Sequence, residues 1–213
     1  MIFNNSLEQI LILVPALILA FTIHEISHGL MAYFLGDYTA KRDGRLSLNP
    51  IRHIDPIGLI CILIIGFGWA KPVMVNPYNL KNPKVDMALI SAAGPISNFL
   101  LALICTMIWY PLLMLVPNIP GYIISAMMTF TWINIMLGIF NMIPIPPLDG
   151  SKVFAGALPD SIYNNLPPIG RYGMLILMVL MFLGVTGRIL QPLTGAAYAM
   201  ITSFVIDIIF GWL

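Results

Sequence analysis

A long apolar run that carries two histidines and a glutamate within one helical turn leaves few folds open to this chain. Residues 7–35 are apolar for most of their length, and His24-Glu25-Ile26-Ser27-His28 lies in the second half of the run. A backbone in hydrocarbon must satisfy its own N–H and C=O groups, so a run of this length is expected as a membrane-spanning helix. On a helix, His24 and His28 project from one face. A charged side chain at the bilayer centre costs roughly 2.5–3.5 kcal/mol, so a cluster of ionisable groups there is expected to have a use. Two imidazoles one turn apart form a zinc-binding pair, and the glutamate beside the first can serve as a general base. The pattern points to zinc hydrolysis within a membrane.

The composition agrees. Of 213 residues, 59% are hydrophobic and 9% charged, where a soluble domain carries about 25% charged residues. With a mean hydropathy of +0.92, the chain is expected as an all-α polytopic membrane protein, a single membrane-embedded domain over residues 1–213. A net charge of +1 gives no case for nucleic acid. Cys61 and Cys105 lie in apolar stretches without Cys-x-x-Cys spacing and read as packing residues. No Lys or Arg precedes Lys41, and the first apolar run is longer than a signal-peptide core, so it is expected to be retained.

About five transmembrane helices are expected: 7–35 with the zinc motif, 86–116, 122–143, 170–187 and 189–212. Between the first two, residues 38–84 change character. Arg45-Leu46-Ser47-Leu48 and Val73-Met74-Val75 alternate like short strands. Ile57 to Phe67 is apolar but too short to span as a helix. A small re-entrant β-rich segment is therefore expected here. Seven of the ten Lys and Arg residues lie in this loop, Lys152 and Arg171 fall on its side if the spans alternate, and only Arg188 falls opposite. The loop and the active-site end of the first span are thus expected on the cytoplasmic side.

A catalytic zinc usually takes three protein ligands and keeps an open position for water. The remaining histidine, His53, lies in the basic loop and reads as a loop histidine hydrogen-bonded near Asp55. Asp149 is the better third candidate. It follows Pro144, Pro146 and Pro147 at the cytoplasmic end of the third expected span, the depth assigned to His28, with Gly150 to permit a tight turn after it. Asn134 and Asn141 lie seven residues apart on the third span, either supporting the ligands from behind or joining helices. The fourteen methionines read as packing or lipid-facing residues.

His24-Glu25-x-x-His28 in a first span, followed by a Pro-rich Leu148-Asp149-Gly150, resembles the site-2 protease family of intramembrane zinc metalloproteases. Gly44-Arg45-Leu46-Ser47-Leu48-Asn49-Pro50, His53-Ile54-Asp55-Pro56-Ile57-Gly58, Gly68-Trp69-Ala70-Lys71-Pro72-Val73 and Ala93-Gly94-Pro95-Ile96-Ser97-Asn98 extend the resemblance over about residues 20–155. It is to the compact branch, without a PDZ or CBS domain. The resemblance implies that His24, His28 and Asp149 bind Zn2+ and that Glu25 is the general base. It implies that Asn98 faces the metal and donates to the oxyanion, the alternative being a polar residue that holds helices together. A substrate helix must be held unwound to be cut. Gly66-Phe67-Gly68-Trp69, leading into residues 70–73, is the candidate for pairing with it, the alternative being a plain tight turn.

The implied function is an intramembrane zinc endopeptidase acting in or near transmembrane helices of single-span membrane proteins, as in regulated intramembrane proteolysis. Its setting would be the lipid bilayer of a prokaryotic cell membrane. The competing readings are a metal transporter or metal-dependent scaffold and an inactive membrane binder. Neither explains a glutamate between two ligands, and no paired halves of a transporter are visible. Oligomeric state has no signal in the sequence.

Overall fold

The computed structural model describes residues 7–65, 68–163, 165 and 170–211. The expected Gly66 and Phe67 contacts lie outside the described residues. The described chain is helical, and its long helices follow from the apolar runs: α1 (Leu7–Phe34), α4 (Pro83–Leu115), α5 (Gly121–Asn141) and α9 (Val185–Phe210). These four are long and apolar enough to cross a membrane. Shorter helices are α2 (Thr39–Arg42), α3 (Pro56–Ile65), α6 (Asp149–Ala157), α7 (Asp160–Tyr163) and α8 (Gly170–Phe182).

Local chemistry sets the ends of these helices. α1 stops at Gly36, whose φ of +103° lets the chain turn back so that Asp37 N–H reaches Ala32 O at 2.9 Å, a Schellman-type close. α4 starts after Asn82, which accepts from Val85 N–H while its own N–H donates to Asp86 Oδ2. Pro83 occupies the first turn, where a missing N–H costs nothing.

α1 lies against both α4 and α5, α4 also packs on α5 and α6, and α9 closes against α4 and α5. Ala16, Leu17 and Ala20 of α1 meet Ile133 and Leu137 of α5 in one buried cluster. Small residues on α1 let the helices approach, which matters in lipid because dispersion and hydrogen bonds replace the hydrophobic drive between spans. Leu11, Leu19, Leu100 and Ile104 remain exposed on the outer surfaces of α1 and α4, as lipid-facing residues would.

Two expectations are corrected. The fourth expected span, 170–187, is instead α8, 13 residues long, or about 20 Å. That is short of the roughly 30 Å of hydrocarbon, and α9 begins at Val185 after Gly184 turns the chain with φ +70°. Among the described residues, four candidate spans therefore replace five. The β-rich segment is also absent: residues 38–84 hold α2, α3, two single 3₁₀ turns and, among the described residues, no strand, only an isolated antiparallel bridge between Ile54 and Ala70. Alternation at 73–75 suggests a strand, but a strand also needs a ladder partner. Val73 N–H goes instead to Glu25 and Asn76 N–H to Asp37. The stretch 45–48 is bent away from strand geometry between Gly44, at φ +66°, and the Asn49-capped turn Pro50–Arg52.

Candidate metal centre

His24 and His28, on adjacent turns of α1, face α4, and Asp149 enters from the first turn of α6. Their ligand atoms form a near-equilateral triangle. The two Nε2 atoms are 3.0 Å apart, and each lies 3.1 Å from Asp149 Oδ2. The other ring nitrogen of each imidazole is committed: His28 Nδ1–H donates to Ile90 O at 2.7 Å and His24 Nδ1–H to Asn98 Oδ1 at 2.6 Å. Both Nε2 atoms converge on one point beside the carboxylate oxygen, an arrangement that repels in neutral rings unless a cation lies between them. Donors around a tetrahedral zinc at about 2.0–2.1 Å are about 3.3–3.4 Å apart, a few tenths of an ångström wider than this triangle. Two neutral imidazoles and a carboxylate suit zinc, and these three side chains form a cluster able to hold a metal ion.

The approach of α4 depends on a residue to which sequence reasoning gave no task. A Cβ on Gly94 would lie 2.5 Å from His28 Nε2 and 2.7 Å from His24 Cε1. Gly94 is part of the quoted Ala93–Asn98 motif, but only the α1–α4 distance shows what its missing side chain allows. Gly150 acts similarly. Its φ is not positive, and its value is close approach, since a Cβ there would fall 2.3 Å from Met142 O.

Asn98 is fully buried, and both of its amide hydrogens are used. Oδ1 accepts from His24, and Nδ2 donates to Asn134 Oδ1 at 2.9 Å and Ala20 O at 3.3 Å. It stands behind His24 with no amide hydrogen left for an oxyanion, and it joins α4 to α1 and α5. Asn134 therefore reaches the imidazole through Asn98. Asn141 instead donates to Leu137 O within α5 and lines the cavity.

Glu25 is buried, with Oε2 accepting from Val73 N–H at 2.9 Å. It and the three ligand candidates line a cavity of about 650 Å³ with apolar walls that include Leu17, Phe21, Ile133 and Leu177. Gly68 and Trp69 line it as well. Gly68 also packs backbone to backbone on α3, a Cβ there falling 1.9 Å from Gly58 O. His53 stands apart from the cluster. It is buried and its Nε2–H donates to Ser47 O at 2.7 Å, while Asp55 accepts from Ile57 and Gly58 N–H at the start of α3, so the expected His53–Asp55 contact is not made. Burial, together with the nearby Arg45 and Arg52, holds the His53 imidazole below its ordinary value against the pull of Ser47 and Glu25.

This helical membrane fold, with a His-Glu-x-x-His helix and a carboxylate from a later helix converging on one point, defines a membrane metalloprotease. Sequence comparison agrees. The profile of peptidase family M50 matches residues 118–185, a stretch that contains Asp149. Several relatives bear the name "Putative zinc metalloprotease". YwhC of Bacillus subtilis (strain 168) is 39% identical over 192 residues, 86% of each chain. Rip2 of Mycolicibacterium smegmatis is 25% identical over 182 residues, 80% of this chain and 66% of that one. MJ0611 of Methanocaldococcus jannaschii is 31% identical over 156 residues, 71% and 75%. No solved structure gives a significant match. The chain belongs to peptidase family M50, the site-2 protease family. It is a metalloprotease with zinc as its cofactor, which sets aside the transporter and scaffold readings.

Proposed function

We propose that this metalloprotease cuts peptide bonds in or near transmembrane helices of other membrane proteins, in regulated intramembrane proteolysis, with single-span proteins as substrates. One observation carries the reading: the His24–His28–Asp149 triangle and the Glu25 carboxylate share one apolar cavity bounded by α1 and α5, two of the candidate spans. His24, His28 and Asp149 would hold the zinc. When bound, zinc supplies Lewis-acid polarisation and brings the pKa of its water to about 7.

The chain's own residues do the rest. Asn98 and Ile90 O fix the two imidazoles in the tautomer that leaves Nε2 free. Asn98 is thus assigned the orientation of His24 and not the oxyanion contact. Glu25 Oε2 is held by Val73 N–H. Oε1, which has no hydrogen bond among the described residues, accepts a proton from the attacking water and delivers it to the leaving amine nitrogen. Residues 68–76 run beside this carboxylate, where an unwound substrate could lie against Gly68 and Trp69. The bias of Lys and Arg toward residues 41–84 favours the cytoplasmic side for the site.

The test is cleavage of a membrane-anchored substrate with a helix-destabilised segment by the full chain in liposomes. Glu25→Gln should retain zinc and lose at least about 10²-fold in kcat. Cleavage by that variant at the wild-type rate contradicts the assignment.

A further inference from the structure

We infer that Arg45 is a positioning residue, whose guanidinium fixes residues 68–76 so that Val73 N–H can hold the Glu25 carboxylate. The inference rests on the proposed role of Glu25. Arg45 is only 7% exposed and, among the described residues, makes no ion pair. A buried guanidinium without a carboxylate is costly unless its N–H groups are taken up. Here Nη1 donates to Arg52 O and Nη2 to Lys71 O, carbonyls from two stretches separated by α3. A guanidinium fork can bridge two such acceptors at once, where an ammonium offers a single point charge.

Residue 71 is clamped on both of its backbone groups. Its carbonyl accepts from Arg45, and its N–H donates to His53 O at 2.8 Å. Ala70, one residue earlier, bridges to Ile54. Pro72 lies between them, its φ fixed by the ring and the backbone of residue 71 restricted by it, so fixing Lys71 limits where the N–H of Val73 can point. That N–H lies 2.9 Å from Glu25 Oε2. The far end of the segment is tied separately, through Asn76 N–H to Asp37 Oδ2 at 2.8 Å. The chain of contacts is Arg45, Lys71 backbone, Val73 N–H, Glu25 carboxylate. Arg45 touches none of the three ligand candidates, so metal binding does not depend on it.

The experiment uses the full chain, comparing wild type with Arg45→Met, Arg45→Lys, Val73→Pro (which removes the N–H donor together with the valine side chain) and Arg45→Met combined with Val73→Pro. Three readouts are taken: kcat and KM on the membrane-anchored substrate, zinc per chain, and amide hydrogen exchange over residues 69–76. Because a misplacement of about 1 Å can cost about 10²-fold, Arg45→Met should lower kcat by about 10-fold to 10²-fold, with KM and zinc content near wild type. It should also speed exchange across the segment. Arg45→Lys should fall between, and it decides the matter if Arg45→Met does not fold. The combined variant should be no slower than Val73→Pro alone. The inference is overturned by a wild-type kcat in Arg45→Met and Arg45→Lys, by kcat losses that multiply in the combined variant, or by unchanged exchange. Exchange and zinc content are read without turnover. A wild-type enzyme that binds zinc but cuts no membrane substrate therefore sinks the proteolytic reading and leaves the Arg45 contact still decided.

Discussion

One absent methyl group decides whether two imidazoles and a carboxylate can meet. Gly94 lets α4 pass so close to α1 that a Cβ would overlap His28 and crowd His24. Gly94→Ala should therefore cut zinc affinity and lower cleavage by about 10²-fold, measured by zinc retention on dialysis and by turnover. Asn98→Ala leaves room for the metal but frees the His24 ring and strands Asn134. Loss of such a supporting partner typically costs about 10–100-fold in metal affinity, which a competitive zinc titration would read. The pairing of His24 with His28 was legible in the sequence because a spacing of four writes one helical face directly. Asp149 became legible once the Pro-rich motif was set beside that pair. The orientation of Asn98 was not legible, since it depends on Asn134, a residue 36 positions away on another helix. Nor was Val73, whose contribution is a backbone N–H that any residue but proline would supply.

At the scale of elements, Asp37 ties the end of α1 to the segment before α4. Its carboxylate accepts from Thr39 N–H and Oγ1–H, Asn76 N–H and Asn79 Nδ2–H. Burial alone would raise its pKa, but these four donors hold it below its ordinary value of 3.8. A depressed folded-state pKa stabilises fully above the unfolded value and is lost as pH falls through the folded one. Asp37→Asn should thus cost about 1–3 kcal/mol at neutral pH, and the gap in Tm from wild type should narrow progressively below about pH 4. Thermal melts at neutral and acidic pH would show it. The long helices here were legible from hydropathy. The loop between α1 and α4 was not, because its backbone is held by side chains such as Glu25, Asp37 and Arg45 and not by a neighbouring strand. Alternation reports which way side chains point, and it is silent on what receives the backbone hydrogen bonds.

The whole molecule is held together largely apart from its metal. The α1–α5 cluster of Ala16, Leu17, Ala20, Ile133 and Leu137 and the Asn98–Asn134 link between α4 and α5 need no zinc. Chelation should therefore abolish cleavage while leaving far-UV helicity within about 10% of the loaded protein, and added zinc should restore turnover. Span number was the part of the architecture least readable in advance, because an apolar stretch of adequate composition can still be divided by one left-handed glycine, as Gly184 divides α8 from α9. All of this chemistry needs a metal shared between two imidazoles of one helix and a carboxylate brought from 125 residues away. Zinc content with X-ray absorption on the purified full chain tests it most directly. About one zinc per chain is expected, bound by two imidazole nitrogens and a carboxylate oxygen and lost on His24→Ala or Asp149→Ala. Zinc that survives Asp149→Ala with its coordination unchanged would contradict it.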